Sequence, residues 1–367
     1  MTTSLDPKNV ESKKKEKINK EIYNITDCNG EIEDKNIILT DLTSCNERDE
    51  ERVIDDNLLT KLIYGNKPRK EMGDDKKLCQ NIHKINPVKF FNIISFVKNF
   101  KTRSNVKIDV IQMKCCGLKY VLKACYITKE CDDGCAEREL KFFRKRDDLD
   151  SIHIMERYSA FSVNKKKFYF VDEYIEGEDL LRYIYLYKKM NENEIYALGL
   201  VIYKLISELH DYKIKHNDIK PDNFILGEKG TLRIIDFGLS NFLKNKTDKN
   251  KMYGFCCRTA PEIILGKPLG MEMDWYNFGT ILYTLYTRRA PFKAPKTKDG
   301  SEPLIYPRNP SYNGRYPVLE DLIQKLLHKD IDKRLCGKKV DGKDILLHPF
   351  FQDEKKSFIL RSLYPKK

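Results

Sequence analysis

The sequence predicts an α+β fold of two unequal lobes, and three observations carry that expectation. Apolar, partly alternating segments at Phe90 to Val97, Val106 to Ile111 and Tyr120 to Cys125 are broken by polar turns and read as a sheet. Beyond residue 190 the apolar period changes: Ile195, Leu198, Ile202, Leu205 and Leu209 recur at spacings of three and four and form one stripe of a helix. A chain of 367 residues, 41% hydrophobic, is long enough for one two-lobed domain with polar sequence left over.

Taken in order, residues 1–88 are dominated by Lys, Glu, Asp and Asn, with only short apolar islands such as Ile37 to Leu39 and Leu58-Leu59. Such a composition buries too little to form a core, so a largely disordered, charged leader is expected there. The small β-rich lobe follows over 89–173. It contains a helix from Ala136 to Lys145, with Leu140 and Phe143 on one face, and a closing strand from Phe168 to Tyr174. A hinge over 174–178 is expected at Gly177, followed by a larger helical lobe over 179–352 and a short tail over 353–367. Within the larger lobe, Trp275 to Tyr286 and Leu319 to Leu327 are further helices.

The net charge of +13 comes from 68 basic and 55 acidic residues interleaved along the chain, so most of it decorates solvated faces. No aromatic-basic motif accompanies it, which argues against nucleic acid as a partner. Eleven cysteines, including the adjacent pairs Cys115-Cys116 and Cys256-Cys257, do not suit a secreted disulfide framework and point to a reducing cytoplasm or nucleus. Cys131 and Cys135 lack a second ligand pair at zinc spacing and read as free thiols. No apolar run reaches the length of a membrane span.

Chemistry concentrates in His216-Asn217-Asp218-Ile219-Lys220-Pro221-Asp222-Asn223 and, one strand-turn-strand later, in Asp236-Phe237-Gly238. Moving a γ-phosphate needs a carboxylate at the incoming hydroxyl, a cation on the phosphate, and oxygen ligands for Mg²⁺. Asp218, Lys220, Asn223 and Asp236 together supply all three, with Asp218 five positions before Asn223 on one loop. Either half alone also suits a solvated turn; the two in register do not.

These residues resemble the catalytic and metal-binding loops of the eukaryotic protein kinases. The resemblance implies a two-lobed fold with ATP in the cleft, Mg²⁺ on Asn223 and Asp236, Asp218 as catalytic base, and Lys220 as a second catalytic residue that points to Ser/Thr acceptors. It further implies that Lys123 holds the α- and β-phosphates with Glu139 as its ion-pair partner, Glu137 being the alternative. Glu173 and Asp179 fall at nucleotide contacts, Asp179 at the ribose. With Asp222, Asp179 would favour a protein substrate carrying basic residues. Ala260-Pro261-Glu262 is similar to the end of the activation loop, and Arg334 would be the buried partner of Glu262. Lys333 to Gly337 and Asp344 to Phe351 look like the cyclic-nucleotide-dependent and protein-kinase-C group. Asp222 to Leu226 looks more like casein-kinase and cell-cycle checkpoint kinases.

Departures from the pattern are equally specific. Lys101 to Val106 stands where the family has its glycine-rich loop and contains no glycine. Asn217 replaces the arginine that binds an activation-loop phosphate, and Lys251 lies near the usual phosphothreonine, which together imply activity independent of that phosphate. Thr247 and Tyr253 remain candidate hydroxyls, and Phe255 and Cys256 alter the substrate floor. Asp172 falls beside the adenine, where it would pair with Lys123, accept from the adenine amino group, or, one register step over, face solvent. A Ser/Thr protein kinase is the leading reading, and a pseudokinase acting as a scaffold or allosteric regulator is the alternative.

Overall fold

The computed structural model describes residues 94–353 except 101–104, 115–116, 128–133, 146–150, 152, 164–166, 187–188, 228–230, 243–257, 265–269, 293–309 and 338–340. The leader and tail expectations therefore fall almost entirely outside the described residues.

Five strands form one antiparallel sheet in the order β1-β2-β3-β5-β4: β1 Ile94–Phe100, β2 Val106–Met113, β3 Lys119–Tyr126, β4 Arg157–Val163 and β5 Lys167–Glu173. Helix α1, Cys135–Lys145, follows β3. In the register of the sheet Lys123 lies opposite Phe170, and Asp172 lies opposite both Val121 and Arg157. Directly opposed residues share a face, so Lys123, Phe170, Asp172 and Arg157 all project to one side. Ala136, Glu139 and Phe142, spaced by three on α1, are its buried positions. Phe142, not Phe143, carries the helix's aromatic contact, stacking on Phe237 at 3.7 Å between ring centres. A phase difference of one residue separates this from the expected face.

The larger lobe begins with β6, Gly177–Asp179, and α2, Leu180–Leu186, followed by α3, Glu192–Asp211. Gly177 is not a free hinge. It pairs with Gly227, and a Cβ on it would stand 2.2 Å from the Leu226 carbonyl oxygen, so glycine is there for close backbone approach. The start of α3 is set by Asn191, whose side chain accepts from Glu194 N at 2.9 Å while the Glu194 carboxylate accepts from Asn191 N at 2.8 Å. The predicted stripe Ile195, Leu198, Ile202, Leu205 and Leu209 is buried throughout. The opposite side is buried too, at Ala197, Leu200, Val201 and Tyr203, so α3 is a central helix and not an amphipathic surface one.

Four short strands, β7 Ile214–Lys215, β8 Phe224–Gly227, β9 Leu232–Ile234 and β10 Asn241–Phe242, frame the loops described below. Helices α4 Pro261–Ile264, α5 Glu272–Thr287, α6 Pro317–Leu326 and α7 Lys343–Leu346 complete the lobe. Helix α5 is buried from Met273 to Tyr286 and lies against α3, where Trp275 stacks on Tyr203 at 5.4 Å. The lobes are joined through His153 to Met155, whose backbone bonds both N–H and C=O of Ile234 on β9. No helix among the described residues is long and apolar enough to cross a membrane.

Candidate active site

The loop from β7 to β8 carries three of the predicted residues. Lys220 is extended, the conformation a residue before proline prefers, and Pro221 opens a single turn of 3-10 helix over Pro221–Asn223. That turn swings Asn223 back toward Asp218: its amide nitrogen donates to the Asp218 backbone oxygen at 2.8 Å and to Oδ2 at 2.9 Å. Lys220 Nζ meets the same Oδ2 at 2.9 Å. Both side-chain bonds fall on Oδ2, so Oδ1 is the oxygen available to an incoming hydroxyl. With its amide nitrogen committed, Asn223 has its side-chain carbonyl oxygen left over, the atom that could hold a metal ion.

The loop hangs from Asp274, a residue of α5 that is fully buried. One carboxylate oxygen accepts from the backbone N–H of His216 at 2.8 Å and lies 2.9 Å from His210 Nε2; the other accepts from Asn217 N at 2.8 Å. Burial works against ionisation, yet His210 and the His216 N–H hold the Asp274 carboxyl below the usual carboxylate range. In sequence this aspartate stands out only as part of a helix start, with nothing local to mark it as the anchor of a loop. Asn217 takes a left-handed conformation with φ of 65°. Its side-chain amide donates to Leu239 O at 2.8 Å, and β10 pairs with β7 just beyond. The first residues after Asp236 are thus bound to this loop by the Asn217 side chain and by the β10–β7 pair.

Lys123, Glu139 and Asp236 form the second cluster. Lys123 Nζ lies 2.9 Å from Glu139 Oε2 and 3.0 Å from Asp236 Oδ1, which selects Glu139 over Glu137, an exposed residue. Burial lowers the Lys123 ammonium's affinity for its proton, but Asp236 and Glu139 more than reverse this and raise it. Asp236 Oδ1 also accepts from Gly238 N at 2.9 Å. Against the effect of burial, Lys123 and that N–H hold its carboxyl well below the usual range, so it is an anion at any ordinary pH. Arg138 Nε donates to Gly238 O at 3.0 Å, tying α1 to the same turn. Phe237 lies between Phe142 and the ring of His216, 5.0 Å from the latter, and so packs the two clusters together.

One expected contact is corrected. Asp172 neither pairs with Lys123 nor faces solvent. It is buried, and its two oxygens take Arg157 Nε at 2.5 Å and Nη2 at 2.8 Å. The register with β4, a strand the apolar pattern does not announce, placed a cation beside it. The Glu173 side chain is given to Arg233 Nη1 at 2.5 Å and to Glu156 N at 3.1 Å. Asp179 lies at the end of β6 and accepts from Arg182 N at 2.7 Å, capping α2. Burial pushes its carboxyl up to about 6, against the pull of that N–H, with Asp222 and Glu178 adding to the rise. Lys101 to Ser104, Cys131, Thr247, Lys251, Tyr253, Phe255 and Cys256 lie outside the described residues.

A small antiparallel sheet joined to a helical lobe, with these two clusters between them, is the architecture of a phosphotransferase cleft. Residues 112–351 match the family described as protein kinase domain, and the chain belongs to that family. It is 35% identical over 193 residues to serine/threonine-protein kinase sgk-1 of Caenorhabditis elegans, covering 51% of this chain and 41% of that protein. A probable serine/threonine-protein kinase of Dictyostelium discoideum is 30% identical over 240 residues, 54% of this chain and 51% of the relative. Protein kinase C-like 1 of Candida albicans is 30% identical over 249 residues, 65% of this chain and 22% of the relative. The chain thus spans about half or less of the curated relatives it matches. The family works with ATP and Mg²⁺.

Proposed function

We propose that this chain is an active Ser/Thr protein kinase that transfers the γ-phosphate of ATP to hydroxyls of a protein substrate. The observation that carries the reading is the joint placement of Asp218, Lys220 and Asn223 on one turn with Lys123, Glu139 and Asp236 on the facing elements. Asp218 Oδ1 takes the hydroxyl proton while Lys220 steadies the transferring phosphate. Lys123, oriented by Glu139, holds the inner phosphates. Asn223 Oδ1 and the half-open Asp236 carboxylate form an oxygen donor set of the kind Mg²⁺ prefers, one carboxylate and one amide with the rest from phosphates and water. When bound, Mg²⁺ neutralises charge developing on the phosphates.

The anchoring of Asn217 to Leu239 and of β10 to β7 supports activity that needs no activation-loop phosphate. Asp179 and Asp222, the latter 3.5 Å from Arg258 Nη2, are the basis for a preference for basic residues beside the acceptor, which would displace that arginine, and the likeness of Asp222 to Leu226 to checkpoint kinases supports a cell-cycle setting. Incubation with γ-labelled ATP, Mg²⁺ and a basic protein tests the reading. Label should pass to Ser and Thr, vanish on chelating Mg²⁺, and persist after phosphatase treatment of the kinase. Absence of both transfer and Mg-ATP-dependent thermal stabilisation would favour the scaffold reading.

Asp179 adds a pH dependence. As a ribose acceptor it works best as an anion, and charge-assisted bonds are roughly twice as strong as neutral ones. Because burial raises this carboxyl to about 6, the anion is lost as pH falls through that value. The KM for ATP should therefore rise several-fold between pH 7 and pH 5, and an Asp179→Asn protein should show a high KM with that rise removed. A parallel pH profile in both proteins would take Asp179 out of the nucleotide site.

A further inference from the structure

The Lys123–Glu139 pair continues into a buried ion network whose other two members, Arg157 and Asp172, the phosphate-transfer reading does not use. Arg157, at the head of β4, is only 6% exposed. Its guanidinium donates through Nε and Nη2 to the two oxygens of Asp172 and through Nη2 to Glu139 Oε1 at 2.6 Å, while lying 4.3 Å over the Phe170 ring. Lys123 from β3, Glu139 from α1, Arg157 from β4 and Asp172 from β5 therefore make a neutral quartet of two cations and two carboxylates. Each member belongs to a different element.

Glu139 is the middle residue of the face that α1 turns to the sheet, and it is fully buried. A buried carboxylate holds a helix in place only while it stays paired; unpaired, it favours withdrawal of the helix toward water. Lys123 alone is a poor guarantor of that pairing. It is already shared with Asp236 and, on the kinase reading, with the phosphates of ATP. Arg157 has no such competing duty, because its bonds go to the two buried carboxylates. Its planar fork suits this role, since two nitrogens are fixed by Asp172 and the remaining direction is set by geometry, not by a flexible stem.

We propose that Arg157 is a positioning residue, anchored by Asp172, whose guanidinium holds Glu139 and with it α1 in the position that presents Lys123 to the phosphates. The small lobe thereby assembles its phosphate-binding pair through its own buried charges. This inference rests on the kinase reading for its consequence in catalysis, but not for its consequence in the helix.

The test compares the parent with Arg157→Met/Asp172→Leu, which removes both charges together and keeps comparable volume, a change that buried ion pairs often tolerate without loss of stability. Backbone amide exchange over Glu137 to Phe143 and Mg-ATP affinity are read for both proteins. Exchange in that helix should be about tenfold faster in the double variant and Mg-ATP affinity about tenfold weaker, with unfolding still cooperative. A double variant with the parent's helix protection and the parent's affinity would overturn the proposal, since a merely structural pair is restored by apolar packing. Should the double variant lose cooperative unfolding, Asp172→Asn decides: faster helix exchange supports the anchor, and parental exchange rejects it. A parent that binds no Mg-ATP would reject the kinase reading, while the exchange comparison would still rule on Arg157.

Discussion

An Asp218→Asn protein should transfer phosphate about 10² to 10⁴ times more slowly than the parent while binding Mg-ATP with nearly the same affinity, because a positioned general base contributes about that factor. The substitution keeps the shape and one acceptor oxygen, so Asn223 can still bond the side chain. What it removes is the proton acceptor at the hydroxyl and the charge that faces Lys220. Burial lowers the proton affinity of the Lys220 ammonium and Asp218 is the largest influence raising it, so the variant also weakens the neighbouring cation's hold on its charge. Single-turnover transfer from γ-labelled ATP, with binding measured separately by thermal stabilisation, distinguishes the two steps. A rate equal to the parent's would remove Asp218 from the chemistry, and a rate loss matched by an equal loss of binding would make it a structural residue of the loop.

The site's residue types were legible because phosphate transfer demands a short list of donors at short spacing, and most of them lie within one loop or the next turn. Elements were legible where the pattern is strong: β2, β3 and β5 from alternation, α3 and α5 from helical period. What escaped depends on contacts between distant segments. Strand β4, Arg-Tyr-Ser-Ala-Phe-Ser-Val, has a charged head and two serines, and nothing local says that Arg157 turns inward. That follows from the β4–β5 register, which is irregular between Arg157 and Ser159 and brings Arg157 opposite Asp172. The partner of Asp172 was therefore unreadable even though its unusual position was not. Gly177 shows the same limit: a glycine that lets backbones approach closely looks, in one dimension, like a glycine that lets a chain bend.

Asp274 and Arg157 are instructive together. Both are buried charges that never reach the reacting atoms, and both organise residues that do, one from the start of α5 in the large lobe and the other from the edge strand of the small lobe. A sequence scan for chemistry finds the groups that face substrate. Groups that hold those in place are found only when burial and partners are known, because an isolated Asp or Arg in sequence is more often a solvated one.

Replacing Arg334 with Met should destabilise the protein by about 3 to 5 kcal/mol, the usual cost of leaving one member of a buried ion pair without its partner. Arg334 reaches Glu262 on α4 through two parallel bonds, Nη1 to Oε1 at 2.7 Å and Nη2 to Oε2 at 2.8 Å, with both side chains almost fully buried. Its Nε donates to His328 O at 2.9 Å, and its guanidinium lies 4.7 Å from the Tyr276 ring centre. The residue thus ties α4, the start of α5 and the loop after α6 to one point. Methionine fills most of the volume but leaves the Glu262 carboxylate buried and unpaired, and the His328 carbonyl without this donor. At roughly 2 to 4 °C per kcal/mol for a domain of this size, the melting temperature should fall by about 10 °C. Arg334→Met/Glu262→Leu should recover part of the loss by removing the orphaned charge, so a thermal unfolding series over the two single variants and the double variant measures the coupling directly. Strictly additive losses would show that the fork contributes nothing beyond the packing of its two side chains, and that α4 is held by Ala260 and its apolar neighbours instead.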